Sequence, residues 1–384
     1  MKEKIEPVRV LHITEELSAA GIESFIMNVY RRIDRSKVQF DFLVLRNEHE
    51  YYEEEIKKLG GKKFWIHSDR SNTFLRILEE SRKIGQFLKE HPYDIVHIHY
   101  TTPLRAPYLG QIRKAGASTR IYHAHSAYVP GKNRLKRLVY AYMRKLITLH
   151  ATDYFACSAA AGRWIFEEDL VSAGKVRIIY NGLEIDRFAF HEDVRKNIRE
   201  KLDWNGKLVL IHTGRFTEQK NQLFLIDVFH ELKKLRANSC LCLIGDGPLR
   251  QKAEKKVEEL DLQNSVVFPG VQNNVQDYLF AGDCFVMPSL YEGLPVAGVE
   301  AQCAGLPCVF SKAITKEAAL TEQVKFVSLE TPAVEWVKEI TSCNNQNRSA
   351  AAGIVASRGY DIQEVSDWLE RFYVEKSENR QYNA

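Results

Sequence analysis

The chain lacks any apolar run near the roughly eighteen residues that a membrane-spanning helix needs, which excludes a spanning segment of that kind. Its first residues, Met1 to Pro7, mix charges and hold no apolar stretch, so no secretory signal is expected. The seven cysteines (Cys157, Cys240, Cys242, Cys284, Cys303, Cys308 and Cys343) form no CxxC pair and are odd in number. Most stand inside apolar runs, the pattern of reduced, buried thiols in a cytosolic protein and not of a structural zinc site. The P-loop pattern GxxxxGK followed by Ser or Thr is missing, and so is GxGxxG. P-loop NTPase and ordinary dinucleotide-binding chemistry thereby lose most of their support. No Asp-x-Asp occurs either, and no short repeat or low-complexity segment is evident.

Negative charge is missing from one long window. Between Asp94 and Asp153 there is no acidic residue, yet Arg105, Arg113, Lys114, Arg120, Lys132, Arg134, Lys136, Arg137, Arg144 and Lys145 fall inside it. His97, His99, His123, His125 and His150 do too. Such a block calls for an anionic partner: phosphate, nucleic acid or a membrane surface. Nucleic acid is disfavoured, because no zinc-finger or RNP-type signature accompanies the charge. From about Asn133 to Ala151 a helix would carry Leu135, Leu138, Val139, Tyr142, Met143 and Leu146 on one side, with basic residues beside or opposite them. That pattern fits an anionic bilayer surface, and equally a stripe packed on its own domain.

What is present suits two domains: 384 residues, 45% hydrophobic and 27% charged, are a globular balance too long for one core. Short apolar runs at Val8–Thr14, Phe40–Leu45, Phe64–His67, Ile95–Tyr100, Arg120–His125 and Asp153–Cys157 alternate with amphipathic segments. The pattern restarts after Arg187 with runs at Leu208–Thr213, Cys240–Gly245, Val266–Pro269, Cys284–Pro288 and Pro307–Phe310. Near-continuous apolar strands between helices predict parallel sheets covered on both sides. We therefore expect an α/β chain of two doubly wound, Rossmann-like domains facing across a cleft. The first spans 1–187 and the second 188–359, with a closing helix in 360–384 that packs back on the first. Ligands of such sheets bind beyond the carboxyl ends of the strands.

Four strand ends carry chemistry. A small-residue loop, Leu17 to Gly21, opens a helix whose amides suit a phosphate. His97/His99 and His123/His125 each present two imidazoles on one face of a strand. Metal hydrolases use such pairs, but the Asp and third His they require are not nearby in sequence, so a polar cleft wall with one histidine on substrate is the better reading. Thr213 to Asn221 places Arg215 and Lys220 between a strand and a helix, a pair fit for a diphosphate. Finally, Glu292 lies in a loop closed by Pro295, and Glu300 lies in the helix that follows. One carboxylate could hold sugar hydroxyls and the other a ribose, with helix amides on phosphate between them.

These residues resemble the GT-B glycosyltransferases that carry a Glu-x7-Glu motif, family four of the retaining enzymes. The resemblance runs through Ile22-Glu23-Ser24, Tyr93 to His99, His123-Ala-His-Ser126, Tyr180 to Phe188, Gly214-Arg215, Lys220-Asn221, Gly245 to Pro248 and Pro288 to Ala301. The first third is similar to a bacterial exopolysaccharide or capsule subgroup. The resemblance implies that Arg215 and Lys220 neutralise a donor diphosphate, that Glu300 binds its ribose and that Glu292 faces the donor sugar. It implies amides around Gly293, Leu294, Val296 and Ala297 near the phosphates, Gly214 and Gly21 beside the donor, and Val271 at the nucleobase. His125 matches the histidine that contacts the transferred sugar. Ala19 and Ala20 stand where the family usually has more glycine. The implied reaction is retaining and metal-independent, with no cofactor, from a UDP-sugar to a lipid-linked saccharide, in the cytoplasm or peripherally on the inner membrane face. Alternatives within the fold are a sugar-nucleotide epimerase or hydrolase, or a non-catalytic partner subunit; the presence of Arg215, Lys220, Glu292 and Glu300 together speaks against the last.

Overall fold

The structure, a computed structural model, describes residues 6–18, 21–47, 51–126, 133–292, 294–344 and 348–381. It divides into a first unit that runs to Gly182 and resumes at Ile362, and a second from Leu183 to Asp361. The chain therefore changes unit five residues ahead of the 187/188 division expected from the sequence. Leu183 decides this: its N–H donates to the Tyr360 carbonyl at 2.9 Å, and it bridges Asp361 in parallel. The short helix Ile185–Phe188 follows it into the second unit. Gly182 lies so close to the returning chain that an added Cβ would stand 2.8 Å from the Ile362 Cα.

The first unit is a seven-stranded parallel sheet of β1 (Val8–Thr14), β2 (Val38–Val44), β3 (Lys63–Trp65), β4 (Ile95–Tyr100), β5 (Thr119–Ala124), β6 (Asp153–Ala156) and β7 (Val176–Ile178), in the order β3-β2-β1-β4-β5-β6-β7. Side chains alternate across it, so Leu11 and Ile13 enter one apolar layer and Val10 the other. The helices Thr73–Glu90, Ala106–Lys114 and Arg134–His150 cover the first face. The helix Gly21–Arg32 and the closing helix Ile362–Gln381 cover the second, the latter through Ile362, Leu369 and Tyr373. Each such side chain, fully buried, stabilises the fold by about 1.5–3 kcal/mol.

The second unit is a six-stranded parallel sheet of β8 (Leu208–Thr213), β9 (Ser239–Ile244), β10 (Val266–Gly270), β11 (Cys284–Met287), β12 (Cys308–Ser311) and β13 (Val324–Val327), ordered β10-β9-β8-β11-β12-β13. Three of its buried or half-buried arginines are well supplied with acceptors. Arg348 donates to the carbonyls of Leu279, Phe280, Gly282 and Ala304 at 2.8–3.1 Å, which ties off the C-termini of the helices Val275–Ala281 and Val296–Cys303. Arg195 and Arg199 hold Asp283 at 2.6 and 3.1 Å.

The edge strands β7 and β13 are additions to the sequence reading. Both are short and half-buried, and Arg177 and Lys325 interrupt them, so neither shows an apolar run. The helix expected over 133–151 is Arg134–His150, but its stripe splits. Met143 and Ile147 are buried, whereas Leu135, Leu138, Val139, Tyr142 and Leu149 are exposed. Arg144 lies over the Trp164 ring at 5.3 Å and does not join the outward basic residues.

Candidate active site

In the second unit the strand order reverses between β8 and β11, the switch point where doubly wound sheets bind ligands. Two loops leave the sheet there and are stitched together. Leu290 N–H donates to the Gln219 carbonyl at 2.8 Å, Gln219 Nε2 to the Tyr291 carbonyl at 3.0 Å, and Asn221 Nδ2 to the Pro288 carbonyl at 3.1 Å. Asn221 adopts φ +56°, which ends the turn Glu218–Lys220 and starts the helix Gln222–Leu235. Asparagine tolerates that left-handed conformation better than most residues. The Lys220 ammonium then meets Glu292 Oε1 at 2.6 Å, with both side chains largely buried. The Glu292 backbone is further fixed by a bridge to Ile314.

Gly214 and Arg215 are held from behind by the turn after β9. Phe216 N–H donates to the Asp246 carbonyl at 2.9 Å, and Leu249 N–H to the Phe216 carbonyl at 3.1 Å. Gly245 (φ +131°) and Gly247 (φ +154°) allow this contact, since a Cβ on either would fall 2.2 Å from Gly214 O or 2.6 Å from Phe216 O. This turn has more to do than reverse the chain, which is all its sequence signals. The Arg215 side chain is exposed, and its guanidinium has no partner among the described residues.

Pro295 caps the helix Val296–Cys303 but offers no side-chain hydrogen bond. The N–H groups of Gly298 and Val299 turn back to Pro295 O, while those of Val296 and Ala297 find no acceptor among the described residues. Free first-turn amides of this kind suit an anion. Leu294 is half-buried at the entry, and Gly293 lies outside the described residues. Glu300 sits one turn into the helix, half-buried and without a hydrogen bond or ion pair among the described residues. Burial pushes its carboxyl up to about 7, against the pull of the Arg187 charge. Val271 follows Gly270 (φ +77°) off β10 and is 75% exposed.

In the first unit the corresponding switch point lies between β1 and β4. Gly21 is the exposed first residue of the helix Gly21–Arg32, with open space where a Cβ would go. Ala19 and Ala20 lie outside the described residues. Buried Glu23 accepts from Thr14 Oγ1 at 3.0 Å, and burial raises its carboxyl above the usual range. The H-x-H pairs do share a face, but they do not form a polar wall. His97, His99 and His123 are at most 1% exposed beneath the two covering helices, and His125 alone is half-buried. The third histidine that the sequence did not supply locally comes from β1, because sheet register sets His12 beside His97. Ring nitrogens of His12, His97 and His99, and of His99, His123 and His125, lie within 4.8 Å of one another.

Arg215, Lys220 and Glu292, with Gly214 behind them and the Val296–Cys303 amides beside them, thus share one end of the second sheet. His125 and Gly21 belong to the first unit. The family model for glycosyl transferases group 1 matches residues 194–351, and that for glycosyltransferase family 4 matches residues 19–187. EpsF of Bacillus subtilis (strain 168), assigned by name to the glycosyltransferases, is 35% identical across 97% of this chain and 98% of its own. The chain belongs to glycosyltransferase family 4. This glycosyltransferase is also 25% identical to the UDP-Gal:alpha-D-GlcNAc-diphosphoundecaprenol alpha-1,3-galactosyltransferase of Escherichia coli, across 81% of each chain. The crystal structure of Anabaena HepE in complex with UDP superposes with a TM-score of 0.75 at 18% identity, over 95% of this chain and 99% of that one. The fold of the family 4 enzyme is accordingly GT-B, two Rossmann-like domains with parallel sheets of seven and six strands.

Proposed function

We propose that this glycosyltransferase moves a sugar from a UDP-sugar to a lipid-linked saccharide, with retention and without a metal. The observation that carries the reading is the end of the β8/β11 switch point: Arg215 and the amides of Val296 and Ala297, which have no partner among the described residues, beside the Lys220–Glu292 pair. In this reading Arg215, Lys220 and the amides take up the negative charge of the departing diphosphate, a role worth several kcal/mol in such sites. Glu300 accepts hydrogen bonds from the donor ribose, Glu292 faces the sugar, and Val271 lies along the base. Leu294 and Gly214 line the donor. The leaving phosphate oxygen takes the proton of the attacking acceptor hydroxyl on the same face, so no covalent nucleophile is assigned. The UDP bound by HepE and the polyprenyl-diphosphate acceptor named for the Escherichia coli relative support this choice of donor and acceptor class.

The acceptor would be met at a bilayer surface. The outward face of Arg134–His150 pairs exposed Leu135, Leu138, Tyr142 and Leu149 with Arg134, Lys136, Arg137 and Lys145, a composition suited to anionic lipid. No helix among the described residues is long and apolar enough to cross a membrane. Reversing those four basic residues to Glu should abolish sedimentation with phosphatidylglycerol vesicles; unchanged sedimentation would remove the membrane contact. The donor assignment is tested by thermal shift with UDP, GDP, ADP and NAD, beside Glu300→Ala. A ligand at a hundredfold excess over its Kd adds about 2.7 kcal/mol to the folded state. Stabilisation by UDP that Glu300→Ala loses is the expected result, and stabilisation by NAD alone would defeat the reading.

A further inference from the structure

Two of the seven cysteines touch. Cys284, the first residue of β11, is 0% exposed, and its Sγ lies 3.8 Å from Cys343 Sγ. Cys343 comes two residues after the helix Ala333–Thr341 and is half-buried, whereas the other cysteines are buried. The pattern of buried thiols expected from the sequence therefore holds for six cysteines and breaks at Cys343. Lys325 of β13 stands beside the exception: its ammonium meets Glu339 Oε2 at 3.0 Å and also donates to Ser342 Oγ. Cys284 donates toward the Cys343 sulfur, and that hydrogen bond, aided by the Lys325 charge, holds the Cys343 thiol below the ordinary cysteine range. The same contact, together with burial, holds Cys284 well above it.

The two sulfurs differ in what they can meet. The thiolate is the nucleophilic form of cysteine, so the half-buried sulfur beside a lysine is the one that reacts with a small oxidant. Cys284 cannot meet a solute directly, but it already touches the sulfur that can. Disulfide sulfurs stand about 2.05 Å apart, so the gap left to close is less than about 2 Å. Metal ligation is a poorer use of the pair. Structural zinc takes four ligands, and no third thiol, imidazole or carboxylate stands within 4.8 Å of both sulfurs among the described residues. Cys308, on the neighbouring strand β12, turns its thiol to the Leu306 carbonyl at 3.3 Å instead.

We propose that Cys343 and Cys284 form a reversible disulfide when the protein meets hydrogen peroxide, with Cys343 the attacking thiol and Cys284 the resolving one. The Cys343 thiolate attacks one peroxide oxygen: an S–O bond forms, the O–O bond breaks, and the sulfur is oxidised to a sulfenic acid. The hydroxide that departs takes the proton Cys343 had released. The Cys284 sulfur then displaces the sulfenic hydroxyl: the S–S bond forms, the S–O bond breaks, and the hydroxide leaves with the Cys284 thiol proton as water. Two thiols and one peroxide thus become one disulfide and two waters, and a dithiol reductant reverses the bridge. The bridge joins positions 59 residues apart and encloses β12, the edge strand β13 and the helix Ala333–Thr341. It sits at the amino end of β11, whereas Glu292 follows the carboxyl end, so it staples this edge of the sheet and leaves the Lys220–Glu292 pair in place.

The test treats the full chain, folded and reduced, with hydrogen peroxide, then unfolds it, alkylates the free thiols and maps the cysteines by mass spectrometry. The expected product is a peptide pair linked through Cys284 and Cys343, lost on treatment with dithiothreitol, with the other cysteines alkylated. In Cys343→Ser, Cys284 should emerge alkylated at the same dose of peroxide. In Cys284→Ala, the Cys343 sulfenic acid has no resolving partner and should be captured by dimedone or pass on to the sulfinic acid. A wild-type protein in which Cys284 stays free or pairs with Cys308 overturns the proposal, as does oxidation of Cys284 in Cys343→Ser. If Cys284→Ala fails to fold, the wild-type and Cys343→Ser maps still decide. The bridged protein should melt above the reduced one, because the bridge restricts the unfolded chain, and an unchanged melting temperature would overturn the staple. UDP should shift both forms alike; a shift lost only on oxidation would overturn the separation of the bridge from the donor site.

Discussion

Replacing Glu300 with Gln should make the protein more stable and stop it binding UDP. Burial raises the Glu300 carboxyl from its ordinary 4.5 to about 7. A carboxyl whose folded value is raised binds its proton more tightly folded than unfolded. Stability is then lost as pH climbs from about 4.5 to 7, and the full penalty applies above that. At about 1.4 kcal/mol for each tenfold change in proton affinity the penalty reaches roughly 3 kcal/mol, and the partial exposure of Glu300 lowers this to about 1–3 kcal/mol. Gln fills the same space without the charge. For a unit the size of Leu183–Asp361, each kcal/mol moves the midpoint by about 2–4 °C. The variant should therefore melt about 3–9 °C above wild type at pH 8, and the gain should shrink to roughly a quarter at pH 5, where the folded wild type is already protonated. Differential scanning calorimetry at the two pH values, with and without UDP, reads both effects. A variant no more stable than wild type at pH 8, or equally stabilised at pH 5 and 8, would refute the strained-carboxylate argument. A stabilised variant that binds UDP as wild type does would detach that strain from the donor site.

Three further outcomes follow from named contacts. Lys220→Met leaves the largely buried Glu292 carboxylate without its 2.6 Å partner; it should cost about 1–3 kcal/mol in urea denaturation and lower sugar transfer by at least about a hundredfold. Gly245→Ala drives a Cβ to 2.2 Å from Gly214 O at φ +131°; it should destabilise by more than about 2 kcal/mol and weaken UDP binding by displacing Arg215, read by calorimetric titration. Arg348→Met strands the carbonyls of Leu279, Phe280, Gly282 and Ala304; a loss of about 3 kcal/mol or more is expected, again from urea denaturation.

Most of the strands legible in the sequence are buried on both faces, and several, such as Val8–Thr14, Ile95–Tyr100 and Leu208–Thr213, begin and end where their apolar runs do. The edge strands Val176–Ile178 and Val324–Val327 were illegible for the complementary reason: one side of each meets solvent and the run breaks at a charge. The same-face placement of each H-x-H pair follows from the period of a strand. The company those pairs keep does not. His12 joins them through the β1/β4 register and Tyr373 through the closing helix, 276 residues after His97, and neither neighbour has a local signal. Likewise the stripe of Arg134–His150 reads as one face, yet Met143 and Ile147 turn inward while Leu138 and Tyr142 stay out.

The eight-residue step from Glu292 to Glu300 shows why spacing alone says little about a carboxylate. Glu292 is pinned by Lys220 and by a backbone bridge, and its neighbours hold its loop to the loop after β8. Glu300 has nothing of the kind among the described residues and is pushed toward its neutral form. Other buried charges are met by several partners: Arg348 by four carbonyl oxygens, Asp283 by two arginines, and Arg105 by Glu80 and Glu15. Among the described residues, Glu300, the Arg215 guanidinium and the first amides of Val296–Cys303 are left without partners, on segments that follow the two strands of the same switch point. The partly buried Glu300 carboxylate costs stability while it is unmet. A ligand that offers hydroxyls to the carboxylate and phosphates to the cation and the amides recovers that cost on binding, and a nucleoside diphosphate offers both.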